Sequence, residues 1–307
     1  MRLLLAVTAC AVIASSAVFA QDVAPPGSAS SAFASQAILK RKIAIGRFSN
    51  TTRYGKALLL DSESDPLADQ AADMLTARLV DSGKFIVFDR GDLDGLGREQ
   101  EAAGVSTKLV GVDTLVVGSV TEFGRKVEGK SGFLNSKMRQ TATATVEVRL
   151  VDVQTGRAFF STKGSGNASV EVGEVAGFGS KAGYDSTLND QAISAAISDL
   201  MTNVLQRLQE RRWYSDVLQV RDGQVFISGG PSQGLKVGDK LRLETRGETL
   251  TSAQTGLPIR LPGHAVATLE VIAFFGDDSA SEGAITRVVQ GSVSTDPKTL
   301  IVVENRE

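Results

Sequence analysis

KIAIGRFSN (Lys42–Asn50) opens the stretch that decides the fold of this chain. Its apolar residues alternate with polar or small ones, which predicts a β-strand. LADQAADMLTARLVDSG (Leu67–Gly83), KFIVFDRGDL (Lys84–Leu93) and VDTLVVGSVTEFG (Val112–Gly124) follow it. Together they predict the order strand, long loop, helix, strand, helix, strand over residues 41–122.

The first helix of this stretch has the clearest boundaries. Asp65 precedes Pro66, and an Asp cap followed by Pro at the first helical position is a typical helix start. Gly83 predicts the helix end. The apolar residues recur at helical spacing and predict one buried face: Leu67, Ala71, Met74, Leu75 and Leu79.

Further along, the pattern predicts antiparallel additions to the sheet. Leu115–Val120 is almost wholly apolar, which is typical of a strand covered on both faces. Gln140–Leu150 alternates strictly, a turn follows at Gln154–Arg157, and Ala158–Lys163 returns. Leu188–Trp213 has a long apolar stripe at helical spacing and predicts the longest helix.

The composition changes after Trp213. The remaining residues show no helical period and form short apolar runs separated by Gly turns, a pattern typical of a small sandwich or barrel. The runs are Val217–Val220, Gln224–Ile227, Lys240–Glu244, Ala265–Ile272 and Gly283–Val289.

The predicted fold class is α+β. We expect an N-terminal αβ domain of strands and flanking helices with antiparallel hairpin additions at residues 38–213, and a small all-β C-terminal domain at 214–307. Residues 1–20 are predicted to be a cleavable signal peptide, because a basic residue and an apolar run precede a small-x-small site before Gln21. Residues 21–37, rich in Pro, Ser and Ala, are predicted to be a flexible linker.

The only cysteine, Cys10, lies inside the predicted signal. Cleavage before Gln21 would remove it and release a periplasmic protein without a thiol. Val7-Thr8-Ala9-Cys10 also resembles a lipobox, the motif that places a lipid on cysteine. Soluble export and lipidation therefore both stay open at the level of the sequence.

Composition and motifs argue against catalysis and nucleic-acid binding. The net charge of −2 provides no basic field for nucleic acid. The glycine-rich segment 229–234 lacks the Lys-Ser/Thr and the helix of a phosphate loop, and the only histidine, His264, has no cysteine to join it in a metal site. We therefore predict no catalytic residues, no cofactor and no metal.

The loop Asn50–Pro66 is unusually long for a compact domain, and such loops are typically functional or disordered. It carries Tyr54 and the apolar residues Leu58, Leu59 and Leu60. Two interpretations stay open: the leucines pack back on the domain, or they form a surface presented to a partner or to a pore axis. Under the second interpretation these four residues are the candidate partner-binding or pore-axis residues.

The central segments resemble the CsgG/HfaB family of curli-type secretion and outer-membrane assembly proteins. The resemblance runs through KIAIGRFSN, ADMLTARLVDSGKFIVFDR, VDTLVVGSVTEFG and VEVRLVDVQTGRAFFSTKGSG, and covers about Lys42–Arg212. It implies a periplasmic αβ domain and, for the pore-forming members, ring oligomers whose protomers each lend two hairpins to an outer-membrane barrel. Here the candidate hairpins are Phe123–Leu150 and Ser165–Tyr184. The first strand of Phe123–Leu150 is charged and shows no alternation.

The C-terminal segment VFISGGPSQGLKVGDKLRLE is similar to the small β domain of flagellar-assembly proteins such as FlgT, which implies a docking module. The leading functional hypothesis is a non-enzymatic, periplasmic, outer-membrane-associated assembly or secretion component. It would form homo-oligomers and contact envelope proteins or secreted cargo. The alternative is an accessory protein that regulates an envelope enzyme without forming a pore, as the LpoB regulators do. An envelope hydrolase would need a catalytic set that the sequence lacks.

Overall fold

The computed structural model describes most of the compact unit Ala37–Glu307. The described residues are 38–52, 65–91, 93–102, 109–131, 135–175, 178–179, 187–254, 256, 258–277, 281–293 and 296–306. Fourteen strands and three α-helices lie within them.

A six-stranded mixed sheet forms the first half of this unit, in the order β2-β1-β3-β4-β5-β6. Its strands are β1 (Arg41–Asn50), β2 (Phe85–Asp89), β3 (Thr114–Ser131), β4 (Asn135–Asp152), β5 (Ala158–Val175) and β6 (Phe178–Gly179). Strands β2 and β3 both run parallel to β1, whereas the pairs β3–β4, β4–β5 and β5–β6 are antiparallel. The mixed αβ character and the antiparallel additions agree with the prediction.

Two helices cover one face of this sheet. They are α1 (Pro66–Asp81) and α3 (Thr187–Glu210), while α2 (Leu93–Ala102) links β2 to the segment before β3. The Asp65 carboxylate accepts hydrogen bonds from the backbone N–H groups of Leu67 and Ala68, as the predicted helix start requires. The fully buried residues of β4 face the helices and complete the core: Ala142, Ala144, Val146, Val148 and Leu150.

The prediction that Leu115–Val120 is covered on both faces is wrong. Leu115 and Val117 are only half-buried, because the helices pack on a single face of the sheet. The charged segment after Phe123 continues β3 as an extended strand to Ser131, within the candidate hairpin Phe123–Leu150. Its backbone hydrogen bonds to β4 hold it in register although its side chains are charged.

The second half of the unit is a closed six-stranded barrel, in the order β12-β13-β8-β7-β14-β9. Its strands are β7 (Tyr214–Arg221), β8 (Gln224–Ser228), β9 (Lys240–Thr245), β12 (Ala265–Phe275), β13 (Gly283–Gly291) and β14 (Leu300–Glu304). The five short runs predicted from the sequence are strands of this barrel. A separate hairpin, β10 (Thr249–Thr251) and β11 (Pro258–Arg260), interrupts the chain between β9 and β12.

Backbone and side-chain contacts join the sheet to the barrel. Leu39, just before β1, is buried in the barrel core beside Trp213. The Lys40 N–H donates to the carbonyl of Gln233, and the Gln233 side chain donates back to the carbonyl of Lys40. The predicted boundary near Trp213 falls between α3 and β7, and the division into two domains stays a prediction.

Candidate interaction surface: the arm of the sheet

The far half of β3, β4 and β5 projects as a three-stranded arm, which we define as residues 122–131, 135–145 and 165–175. Each parent strand has 18 residues, whereas strands in globular proteins have typically about 5–6. The register is continuous along the arm, from Glu122 opposite Thr145 to Ser131 opposite Ser136. A bulge between Val120 and Glu122 marks its base.

One face of the arm continues the helix-covered face of the sheet. Arg125 and Ala142 stand opposite each other on it, and Val127 and Met138 follow further out. Val127 is 58% exposed and Met138 is 37% exposed, so apolar side chains on this face reach solvent. Gln140, directly opposite Val127, is buried, and its side-chain oxygen accepts a hydrogen bond from Arg125 at 3.2 Å.

The opposite face of the arm is charged. Lys126 Nζ lies 2.5 Å from Glu128 Oε1, and Arg139 Nε lies 3.8 Å from Glu171 Oε1. The hydrogen bond and the charge of Glu128 raise the pKa of Lys126. The arm is therefore amphipathic in the manner of a strand, with a period of two residues.

Both long edges of the arm are open within the described part of the chain. β3 pairs with β1 only up to Val120, before the bulge. β5 pairs with β6 only at Glu174 and Val175. Near the base, the N–H of Ser165 points outward and donates to the Asp199 carboxylate of α3 at 3.0 Å. Open edges expose backbone N–H and C=O groups that a further strand can pair with.

Close packing against α3 fixes the base of the arm. A Cβ added to Gly164 would lie 2.1 Å from the carbonyl oxygen of Ala196, and one added to Gly166 would lie 2.3 Å from that of Ala192. Only glycine permits the helix backbone to approach β5 this closely. The direction of the arm is therefore set by the packing of α3 on β5.

The predicted site residues Tyr54, Leu58, Leu59 and Leu60 lie outside the described residues. The structure does place the two ends of their loop. The Thr51 N–H donates to the carbonyl of Val120 at 2.9 Å, at the base of the arm. The other end is held by the cap of α1. The predicted loop thus leaves the sheet beside the arm, which includes most of the candidate hairpin Phe123–Leu150.

A polar cleft of about 500 Å³ separates the sheet from the barrel. At its inner end Arg41 and Asp113 form an ion pair of 2.5 Å, with the two side chains only 4% and 11% exposed. Burial, followed by the charge of Asp113, raises the pKa of the Tyr214 hydroxyl. The ion pairs that line this cleft each form within one half: Arg41 with Asp113 and Arg211 with Asp152 on the sheet side, and Arg246 with Asp216 on the barrel side.

Across the described residues no group of three or more His, Cys, Asp or Glu side chains is placed to hold a metal ion. His264 is exposed and exchanges hydrogen bonds with Thr245. No helix in the described part of the chain is both long and apolar enough to span a membrane.

Comparison with known proteins decides the family. Residues 28–237, more than half of the chain, match the model of the curli production assembly/transport component CsgG. The chain belongs to the CsgG family. A curated relative from Neisseria meningitidis serogroup B, named "Putative lipoprotein NMB1126/NMB1164", is 33% identical over 178 residues, which are 57% of this chain and 79% of the relative.

Solved structures of low similarity accompany this family match. The PelC dodecamer from Paraburkholderia phytofirmans is 14% identical, and the match covers 53% of this chain and 87% of the PelC chain with a TM-score of 0.27. Lipoprotein GNA1162 from Neisseria meningitidis has 17% identity, 56% and 99% coverage, and a TM-score of 0.23. The LpoB C-terminal domain from Salmonella enterica has 17% identity, 43% and 85% coverage, and a TM-score of 0.23. These scores lie below 0.5, so the assignment depends on the family model and the curated relative.

Proposed function

We propose that this CsgG-family protein is a periplasmic, outer-membrane-associated component of envelope assembly or secretion that acts without catalysis, as a homo-oligomer. The family and the lipoprotein relative support an envelope-associated role. The arm is the observation that carries the finer proposal. It has two open edges and an apolar face, and neighbouring copies, cargo or lipid would cover them.

The apolar face of the arm provides the sharpest test. Val127→Glu places a charge on this face, and Val153→Glu places the same charge at a turn outside the arm, where the valine is 46% exposed. We expect Val127→Glu to abolish large assemblies and co-fractionation with outer membranes, while Val153→Glu leaves both unchanged. The measurements are sedimentation velocity with and without detergent, and fractionation of cell envelopes.

Thermal melts of both variants serve as the folding control, since each changes an exposed side chain. A wild-type protein that is monomeric with and without detergent, and absent from membrane fractions, would exclude the oligomeric proposal. The accessory function, in which the protein regulates an envelope enzyme without forming a pore, would then remain. It predicts a one-to-one complex with that enzyme.

The long loop is proposed as a second part of the same contact surface. Replacing Tyr54, Leu58, Leu59 and Leu60 together by serine should leave the melting temperature unchanged and impair assembly or cargo engagement. Asn50, Asp65 and Pro66 are kept in this variant, because they end β1 and start α1. A drop in melting temperature would instead mean that the leucines belong to the core.

A further inference from the structure

The β10–β11 hairpin is an isolated two-stranded sheet on the barrel. It pairs with no other described strand. It leaves the barrel at the end of β9, where Thr245 pairs with Leu300, the first residue of β14. Trp213 contacts the other end of β14, at Glu304, so the hairpin and α3 lie at opposite ends of that strand. A two-stranded hairpin is marginally stable by itself, and a third strand with a shared apolar face is the usual remedy.

One face of this hairpin is apolar and exposed. Leu250 stands directly opposite Ile259, and Leu261 lies two residues further on the same face. These side chains are 46%, 54% and 41% exposed, respectively. The other face carries Thr249 and Thr251. The hairpin thus has the alternation of a half-buried strand pair, and about half of each of these apolar side chains is accessible to solvent.

The hydrogen-bond register identifies which edge is open. The Leu261 N–H donates to the carbonyl of Glu248 at 2.8 Å, so this opposite pair is hydrogen-bonded. Hydrogen-bonded and non-bonded pairs alternate in antiparallel sheets, so Leu250 bonds to Ile259, and the N–H groups of Thr249 and Thr251 point outward. Every residue of β10 is exposed.

The edge of β11 is different. Pro258 lies opposite Thr251, and the two residues form a non-hydrogen-bonded pair. The backbone nitrogen of Pro258 therefore faces outward, away from β10. Proline has no N–H, so this edge lacks one of the donors that an added strand would use. An incoming strand can pair fully along β10 only.

We propose that the β10 edge binds an extended segment of a partner protein by strand addition, with apolar residues at alternate positions beside Leu250. Backbone hydrogen bonds to Thr249 and Thr251 would provide affinity, and the alternate apolar side chains would provide specificity. The added strand would turn the hairpin into a three-stranded sheet. This surface belongs to the barrel and does not depend on the arm or on the proposed function.

The probe is a fluorescent eight-residue peptide of alternating valine and threonine with lysine at both ends, titrated with the full chain and followed by anisotropy. We expect saturable binding. Methylating alternate backbone nitrogens of the peptide should weaken binding at least about tenfold, because those amides can no longer donate to the edge. Thr251→Pro should have an effect of similar size.

Two side-chain variants separate strand addition from a folding defect. Leu250→Thr keeps every backbone donor and should weaken binding severalfold. Val237→Thr, at a 63% exposed valine beside the other barrel end, should not. Three outcomes would each overturn the proposal: no binding at about 1 mM peptide, binding of the methylated peptide as tight as that of the unmethylated one, or unchanged binding to the Thr251→Pro variant. A concentration-dependent dimer that Thr251→Pro abolishes would also overturn it, since a second copy would then occupy the edge.

Discussion

At the residue scale, the buried pair of Arg41 and Asp113 links three parts of the fold. The Arg41 guanidinium also donates to the carbonyl of Leu208 in the last turn of α3. A cation at this end of a helix is favoured by the helix dipole. Lys40, Arg41 and Lys42 are three consecutive cations, and the middle one is among the most buried charged residues described.

We predict that Arg41→Ala lowers the free energy of unfolding by about 3 kcal/mol, because it leaves the Asp113 carboxylate buried without its partner. Denaturant titration measures the loss. Arg221→Ala is the matched control, since Arg221 and its partner Asp222 are 70% and 85% exposed. Exposed pairs contribute roughly 0–1 kcal/mol, so equal losses in the two variants would contradict the prediction.

The Asp152 carboxylate should make the free energy of unfolding fall as the pH is lowered. Burial alone would raise its pKa, but hydrogen bonds from Arg211 and Thr155 outweigh burial and hold the pKa below the ordinary value of 3.8. Because the pKa of Asp152 is lower in the folded protein than in the unfolded chain, its ionised carboxylate stabilises the fold at pH values above the unfolded-state pKa. This stabilisation is lost as the pH falls through the folded-state pKa.

Denaturant titrations between about pH 6 and pH 3 should show this loss in the wild type and a shallower one in Asp152→Asn. The variant should also be less stable at pH 6, where the carboxylate of the wild type is ionised. Parallel pH profiles for the two proteins would show that other carboxylates cause the acid dependence.

At the element scale, the contact between α3 and β5 decides where the arm points. Gly164 and Gly166 face the helix, and any side chain at these positions would meet the backbone of α3. The remaining helix-facing positions of β4 carry alanine near the arm and larger residues near the turn. The β4–β5 register is continuous through this region, whereas β3 has its bulge between Val120 and Glu122 at the base of the arm.

Gly164→Ala should destabilise the protein by about 1–3 kcal/mol, because the added methyl group overpacks against the carbonyl of Ala196. Gly129→Ala is the control, since a Cβ there would meet nothing within 4 Å. Thermal and denaturant unfolding of both variants measure the difference. Equal stability of the two variants would mean that α3 can shift to accept a side chain.

At the scale of the whole molecule, the C-terminus ties the barrel to the sheet. Arg306 donates to the carbonyls of Gln209, Glu210 and Arg211 at the end of α3. The carboxylate of Glu304 accepts the N–H of Trp213 at 2.7 Å. With Gln233 bound to the backbone before β1, the two halves are joined from both ends of the described chain.

This junction predicts cooperative unfolding. The only tryptophan, Trp213, is buried in the barrel core, so its fluorescence reports on the barrel. Far-UV circular dichroism reports chiefly on the helices, which pack on the sheet. We expect both signals to melt together in the wild type and to separate in the double variant Gln233→Ala/Arg306→Ala. Separate transitions in the wild type, or coincident ones in the double variant, would contradict this prediction.

The sequence by itself determined the local elements and the family. The Asp65-Pro66 cap, the alternation of Gln140–Leu150 and the stripe of α3 are local patterns, because helix and strand periods appear directly in the order of residues. The short runs after Trp213 were recognised as strands in the same way. The segments that resemble CsgG are also contiguous in the chain, which is why the family could be recognised.

Only the tertiary structure decided the arm, the closed barrel and the open edge of β10. Residues such as Lys126, Val127 and Glu128 show their alternation only once β4 pairs with them, since backbone hydrogen bonds rather than apolar content maintain the strand. The short strands β10, β11 and β14 are not among the runs predicted from the sequence. Burial of Arg41 and close packing at Gly164 depend on contacts between residues distant in sequence, which no local pattern encodes.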